Sequence, residues 1–262
     1  MSGDPITLEL ADGIAWLTLA RPEKRNAIGP EVARTLHEMA ERCADDPAVR
    51  CVVLTGSGRF FSVGGDVDLF AEAGVDAEAT VLDLARSFHA GIHRLATMAK
   101  PLITAINGPA AGAGFSLAIL GDIVIAAASA HFTSAYSAIG LTPDGGASWW
   151  LPRLVGLRRA QEIVLTNRRL DAQEAAAIGL VTRVVPNEEL VAATQGVAHA
   201  LATGPTRAIG RCRSLLLGSS TQDLAAQLDL ESRWIASSAG SPEGREGITA
   251  FLEKRPPDFI AT

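Results

Sequence analysis

Asp144 stands in Pro143-Asp144-Gly145-Gly146, a turn of small residues ahead of an apolar stretch at 147–154. A second small-residue turn, Asn107-Gly108-Pro109-Ala110-Ala111-Gly112-Ala113-Gly114, also runs into an apolar, helix-like segment. Turns of this kind bring backbone N–H groups close to a ligand, and a helix N-terminus adds partial positive charge. A carboxylate aimed at such a site suits removal of an acidic C–H proton. Pro-Asp-Gly is also ordinary turn chemistry, so the residues alone leave both readings of Asp144 open.

Other chemistry finds less support. Cys43, Cys51 and Cys212 make an odd set of three without metal-ligand spacing, and read as buried or incidental thiols in a reducing compartment. His89, His93 and His131 share no metal-like spacing with a carboxylate, so satisfied or solvated imidazoles are expected, with no metal site and no resident cofactor. The net charge of −6 argues against a nucleic-acid or anionic-membrane partner, so an anionic ligand must be held by local positive groups. Residues 1–7 lack the basic start and apolar stretch of a leader, and the longest apolar run, 119–130, is interrupted by Gly121 and Asp122. A cytoplasmic location is expected.

The elements that must position these turns follow from periodicity. Two β-prone runs, 6–10 and 14–19, flank the hairpin signal Asp12-Gly13. Pro30 opens a helix with Val32, Leu36, Met39 and Cys43 on one stripe. A buried strand at 51–54 precedes a long helix with Val81, Leu84, Phe88, Ile92, Leu95 and Met98 at helical spacing, stopped by Pro101. Strands at 102–106 and 123–127 bracket a buried helix at 112–120, and Asp171 to Glu174 resembles a capping box. The last strand is expected at 181–185. Alternating strands and helices imply parallel strands joined by right-handed crossovers. Helices near 188–203, 205–217, 221–238 and 243–253 follow, so an α/β core over 1–195 and a helical region over 196–262 are predicted.

Four motifs in order resemble the crotonase, or enoyl-CoA hydratase/isomerase, superfamily. They are Arg21-Pro22-Glu23-Lys24-Arg25-Asn26-Ala27, Phe60-Phe61-Ser62-Val63-Gly64-Gly65-Asp66, the stretch from Asn107 to Asp122, and Gly140-Leu141-Thr142-Pro143-Asp144. The similarity runs to the tail Glu253-Lys254-Arg255-Pro256-Pro257. It implies a spiral of strand-strand-helix units, a C-terminal helical trimerisation region with a homotrimer or dimer of trimers, and an acyl-CoA thioester substrate whose CoA is no separate cofactor.

By this resemblance the backbone N–H groups of Gly65 and Ala113 form an oxyanion hole for a thioester enolate. The two glutamates of family hydratases map onto Ser116 and Tyr136, neither of which is a carboxylate. Asp144 matches instead the carboxylate of several family isomerases, and the segment 135–156 looks most like the ring-forming isomerase of phenylacetate degradation. An acyl-CoA isomerase that shifts a double bond, or makes a related enolate rearrangement, is therefore expected, with a hydratase or hydrolase using another acid, or a non-catalytic acyl-CoA-binding homologue, as alternatives. For CoA the match points to Arg21, Lys24 and Arg25, to the Val63 backbone, and to Lys254 and Arg255 from the tail. Ser116 is expected as a helix residue bonded back to an earlier carbonyl, or as a group orienting water or substrate. Tyr136 is read as a core or cavity-wall aromatic, or a hydroxyl donor. Trp149-Trp150 hints at a flat acyl group but fits a core position equally.

Overall fold

The computed structural model describes residues 3–262; Met1 and Ser2, part of the stretch read for a leader, lie outside the described residues. The Asp12-Gly13 hairpin forms as expected, with positive φ of 52° and 75° joining β1 (Ile6–Ala11) to β2 (Ile14–Leu19). The strands that follow are β3 (Cys51–Gly56), β4 (Leu102–Ile106), β5 (Ala110–Ala111), β6 (Ile123–Ala127), β7 (His131–Thr133), β8 (Arg169–Asp171) and β9 (Arg183–Val185). The main sheet has the order β1-β2-β3-β4-β6-β9 and is parallel from β2 onward. A small second sheet has the order β5-β7-β8. Every residue of β4 is buried, as the Leu-Ile-Thr-Ala-Ile run requires of a strand covered on both faces.

One face of the main sheet is covered by α1 (Pro30–Asp45), which buries Val32, Leu36 and Cys43 of its predicted stripe. The long helix predicted around 81–98 is α3 (Ala77–Thr97), and it is preceded by a short helix that was not predicted, α2 (Val67–Ala73). The short α2 carries no buried residue, so no apolar stripe marks it in the sequence. The helix expected at 112–120 is the shorter α4 (Ala113–Ala118), buried throughout. After the turn at Asp144 come α5 (Ala147–Val155), α6 (Leu157–Thr166) and α7 (Ala172–Ala177). Asp171 caps α7 by accepting the Glu174 N–H at 2.8 Å. The Glu174 carboxylate turns to Arg168 at 2.7 Å, so the second half of a capping box is absent.

The predicted division at 195/196 falls inside α8 (Leu190–Ala202). This helix buries Leu190, Ala198 and Ala202 against Ile14, Val53, Ile103 and Ile125, and so closes the opposite face of the sheet. The shift from strands to helices in the sequence marks the end of the sheet's strands, whereas packing carries the core through α8. Beyond it lie α9 (Thr206–Gly218), α10 (Leu224–Ala239) and α11 (Pro242–Glu253). Among the described residues no helix is long and apolar enough to cross a membrane.

Arg213 docks α9 onto the core. Its buried guanidinium donates to both oxygens of Asp122 at 2.8 and 2.7 Å, and to the carbonyls of Met98 and Leu95 at 2.6 and 2.9 Å. Those carbonyls belong to the end of α3, where a cation is favoured. Replacing one partner of such a pair strands the other charge and the carbonyls. Arg213→Ala is expected to lower unfolding free energy by about 3 kcal/mol in urea titrations. A loss under about 1 kcal/mol would show that this contact does not dock the helix.

Candidate active site

The site begins with Asn26, a buried amide. Its Nδ2 reaches the carbonyls of Ser57, Phe60 and Phe61 at 3.0, 2.9 and 3.1 Å, while its Oδ1 accepts the Arg21 N–H at 3.0 Å. The Ser62 hydroxyl donates to the Asn26 carbonyl at 2.7 Å and accepts the Gly64 N–H at 3.1 Å. Ala111 N–H then donates to Ser62 C=O at 3.0 Å, tying the 60–65 loop to β5. At Gly64, φ is +95°, and an added Cβ would lie 2.6 Å from the Ala111 carbonyl and 3.0 Å from the Ala113 nitrogen. Glycine is required on both counts.

The neighbouring bonds leave two donors over. Gly64 C=O and Asp66 N–H both bond to Ile28, and Gly112 N–H donates to Thr133 C=O. Among the described residues, no protein acceptor takes the N–H of Gly65 or of Ala113. Ala113 is the first residue of α4, where an N–H has no partner within the helix. Both residues line one cavity of about 670 Å³. Val63, Tyr136 and Asp144 line the same cavity, together with aliphatic side chains including Val81, Leu82, Ile139 and Leu141.

Asp144 is held from behind. The Tyr136 hydroxyl donates to its Oδ1 at 2.5 Å. The Ser116 hydroxyl lies 2.8 Å from the Asp144 carbonyl and 2.9 Å from the phenol oxygen. Tyr136 spends its one proton on the carboxylate, so the Ser116 proton serves either of its two neighbours. Ser116 is fully buried and stands behind the cavity wall rather than on it, which corrects its expected place against substrate. Its bond back to Gly112 C=O is long, at 3.4 Å. The positions where hydratase glutamates were mapped thus hold two hydroxyls that support Asp144. Burial, followed by the Asp144 charge and the bond to it, pushes the Tyr136 phenol well above its ordinary value.

The side chain of His89, expected as a satisfied or solvated imidazole, reaches the same turn: Gly145 N–H donates to its Nε2 at 2.9 Å. Glu78, unremarked in the sequence, also lines the cavity. The signal for both was the helical spacing of 78, 81, 82, 85 and 89 along α3, one face running from the cavity mouth to Asp144. The Trp149-Trp150 pair does not line the cavity. Trp150 packs on the core, and the Arg153 guanidinium lies over the Trp149 ring at 3.9 Å, so the flat-acyl hint has no footing there.

The basic residues matched to CoA stand outside the cavity lining. Arg21 lies 3.6 Å from Glu23 and 3.4 Å from Glu31, Lys24 lies 3.9 Å from Asp66, and Arg25 sits over the Phe60 ring at 5.8 Å. Lys254 is exposed at the end of α11 with φ +56°, and Arg255 pairs with Glu246 and Glu253 at 2.7 Å.

The enoyl-CoA hydratase/isomerase family model matches residues 9–261. The chain belongs to the enoyl-CoA hydratase/isomerase family. It is 41% identical over 251 residues to a 1,2-epoxyphenylacetyl-CoA isomerase of Escherichia coli K12, covering 94% of this chain and 95% of that protein. It is 39% identical over 259 residues to a probable enoyl-CoA hydratase of Rhodobacter capsulatus, covering 99% of each. A crystal structure of an enoyl-CoA hydratase from Polaromonas sp. JS666 superposes with a TM-score of 0.93 at 34% identity, covering 97% of this chain and 98% of that one. The crotonase fold and acyl-CoA hydratase/isomerase chemistry follow from this membership.

Tyr136 is the chain's only tyrosine, so phenolate absorbance reports it alone. Its folded pKa lies above the unfolded value near 10. The stability it contributes is therefore complete below pH 10 and is lost as pH rises above it. In an ultraviolet pH titration no phenolate should appear near pH 10 while the chain stays folded. A normal titration midpoint in the folded protein would contradict the buried bond to Asp144.

Proposed function

We propose that this family member is an acyl-CoA isomerase that moves a double bond with a single carboxylate. The observation that carries the reading is that Asp144 shares a cavity with two backbone N–H donors lacking protein acceptors. The thioester oxygen sits between the N–H groups of Gly65 and Ala113. Asp144 breaks a C–H bond at carbon 2 of a 3-enoyl thioester. The electrons move onto the thioester oxygen as a dienolate, which the two donors stabilise. Loss of one such donor typically costs about 2.7–4 kcal/mol. The proton then returns to carbon 4, leaving the double bond between carbons 2 and 3.

Hydration is the weaker reading because it wants a base for water and an acid for the α-carbon. Glu78 is the other carboxylate on the cavity wall. It precedes His89 by three turns of α3, about 16 Å along the axis at 1.5 Å per residue. Asp144 meets α3 at the His89 end, so Glu78 stands toward the opposite end of this helix wall.

CoA would run from Val63 toward Arg21, Lys24 and Arg25, with Lys254 approaching from a neighbouring subunit. No resident cofactor is required, because CoA arrives with the substrate. A homotrimer or dimer of trimers would cover the large apolar side chains that α9–α11 leave exposed, including Leu216, Ile235, Phe251 and Leu252.

Proton NMR of a 3-enoyl-CoA incubated with the enzyme should show the 2-enoyl isomer without net water addition. Asp144→Asn is expected to lower kcat by about 10²–10⁴-fold, the range for a lost general base, with acyl-CoA affinity retained. Full activity of the Asn variant would reduce Asp144 to a turn residue. A 3-hydroxyacyl product from the wild type would replace this reading with hydration.

A further inference from the structure

The two oxygens of Asp144 are not equivalent. Oδ1 accepts a hydrogen bond from the Tyr136 hydroxyl at 2.5 Å, whereas among the described residues no donor reaches Oδ2 within hydrogen-bond length. His89 Nε2 lies 3.8 Å from Oδ2, beyond hydrogen-bond length. That nitrogen is already engaged, because Gly145 N–H donates to it at 2.9 Å. An N–H can donate only to a nitrogen that carries a lone pair, so this hydrogen bond requires a bare Nε2, with the ring's proton on Nδ1.

We propose that His89 is a positioning residue: a neutral hydrogen-bond acceptor that fixes the Asp144–Gly145 turn and leaves Oδ2 as the proton-transferring oxygen. The inference rests on the reading of Asp144 as the base. Two arrangements of this corner exclude each other. With a proton on Nε2, the imidazole would pair with Oδ2, and Gly145 N–H would face another donor. With Nε2 bare, Gly145 is satisfied and Oδ2 stays open to substrate. The geometry is that of the second arrangement.

The turn is built to meet this acceptor. Gly145 has φ +58°, and an added Cβ there would lie 2.8 Å from Ser116 Cβ and 2.9 Å from the Phe88 ring. The backbone of residue 145 therefore presses between α3 and α4, and Phe88 and His89 of α3 both bear on it. A hydrogen bond at this point aligns the peptide that follows Asp144. Ser116 holds the carbonyl end of the same peptide, at Asp144 C=O.

Long-range ¹H–¹⁵N correlation spectra test the tautomer without turnover, with His89→Gln assigning the signal among the five histidines. A bare Nε2 with the proton on Nδ1 at neutral pH is expected; a protonated Nε2 would overturn the proposal. Kinetics supply the second arm. His89→Leu should lower kcat about tenfold or more with KM nearly unchanged. His89→Gln, whose amide oxygen can accept from Gly145 but cannot titrate, should recover most of that loss. Equal losses in Gln and Leu would make His89 an acid or base and overturn the positioning role. If Asp144→Asn keeps full rate while the spectrum shows the bare Nε2, the base assignment fails and the imidazole's structural state stands.

Discussion

The close approach of two loops sets the terms for the rest of the site. The 60–65 loop and the turn that opens α4 meet at Gly64, where the Ala111 carbonyl occupies the space a side chain would need. Hydrogen bonds from Ser62, Gly64 and Asp66 use up the neighbouring backbone groups. What remains is the pair of N–H groups at Gly65 and Ala113, fixed in direction before any ligand arrives. Preorganised donors of this kind incur no reorganisation when charge develops, which is why backbone serves better here than a flexible side chain.

The carboxylate is held with the same economy. Tyr136 and Ser116 occupy positions where family hydratases are expected to carry acids, and in this chain they orient Asp144 instead. Tyr136 can do so over a wide pH range because its burial and the nearby charge both resist ionisation. His89 and Phe88 reach the following turn from α3, and that helix also forms a wall of the cavity. The cavity and the Asp144 turn are therefore positioned by one element. A shift of α3 would change both.

Much of this was legible in the residues. Strands 14–19, 102–106 and 123–127 form at the predicted bounds because each is a short β-rich run with turn residues at its ends. The small-residue turns and the family resemblance pointed to Gly65 and Ala113, whose N–H groups have no protein acceptor among the described residues. Elements of two or three residues, such as β5, β7 and β8, left no periodicity to detect. The wall helix α2 was hidden for a different reason: it faces a cavity, and only Leu69 and Phe70 pack partly buried against the core. Ser116 and His89 needed tertiary structure, since their roles depend on which loop crosses them. A serine on a fully buried helix carries no directional signal, and helical spacing gives the face on which His89 lies but not the loop that crosses it.

The central claim is that one carboxylate carries a proton from carbon 2 to carbon 4 within a single bound substrate. A 3-enoyl-CoA deuterated at carbon 2 tests this directly, with deuterium in the product located by NMR or mass spectrometry. The account predicts a measurable fraction of the label at carbon 4, with that transfer absent in Asp144→Asn. Label appearing at carbon 4 undiminished in the Asn variant would contradict it, as would complete loss of label to solvent at every stage of the wild-type reaction.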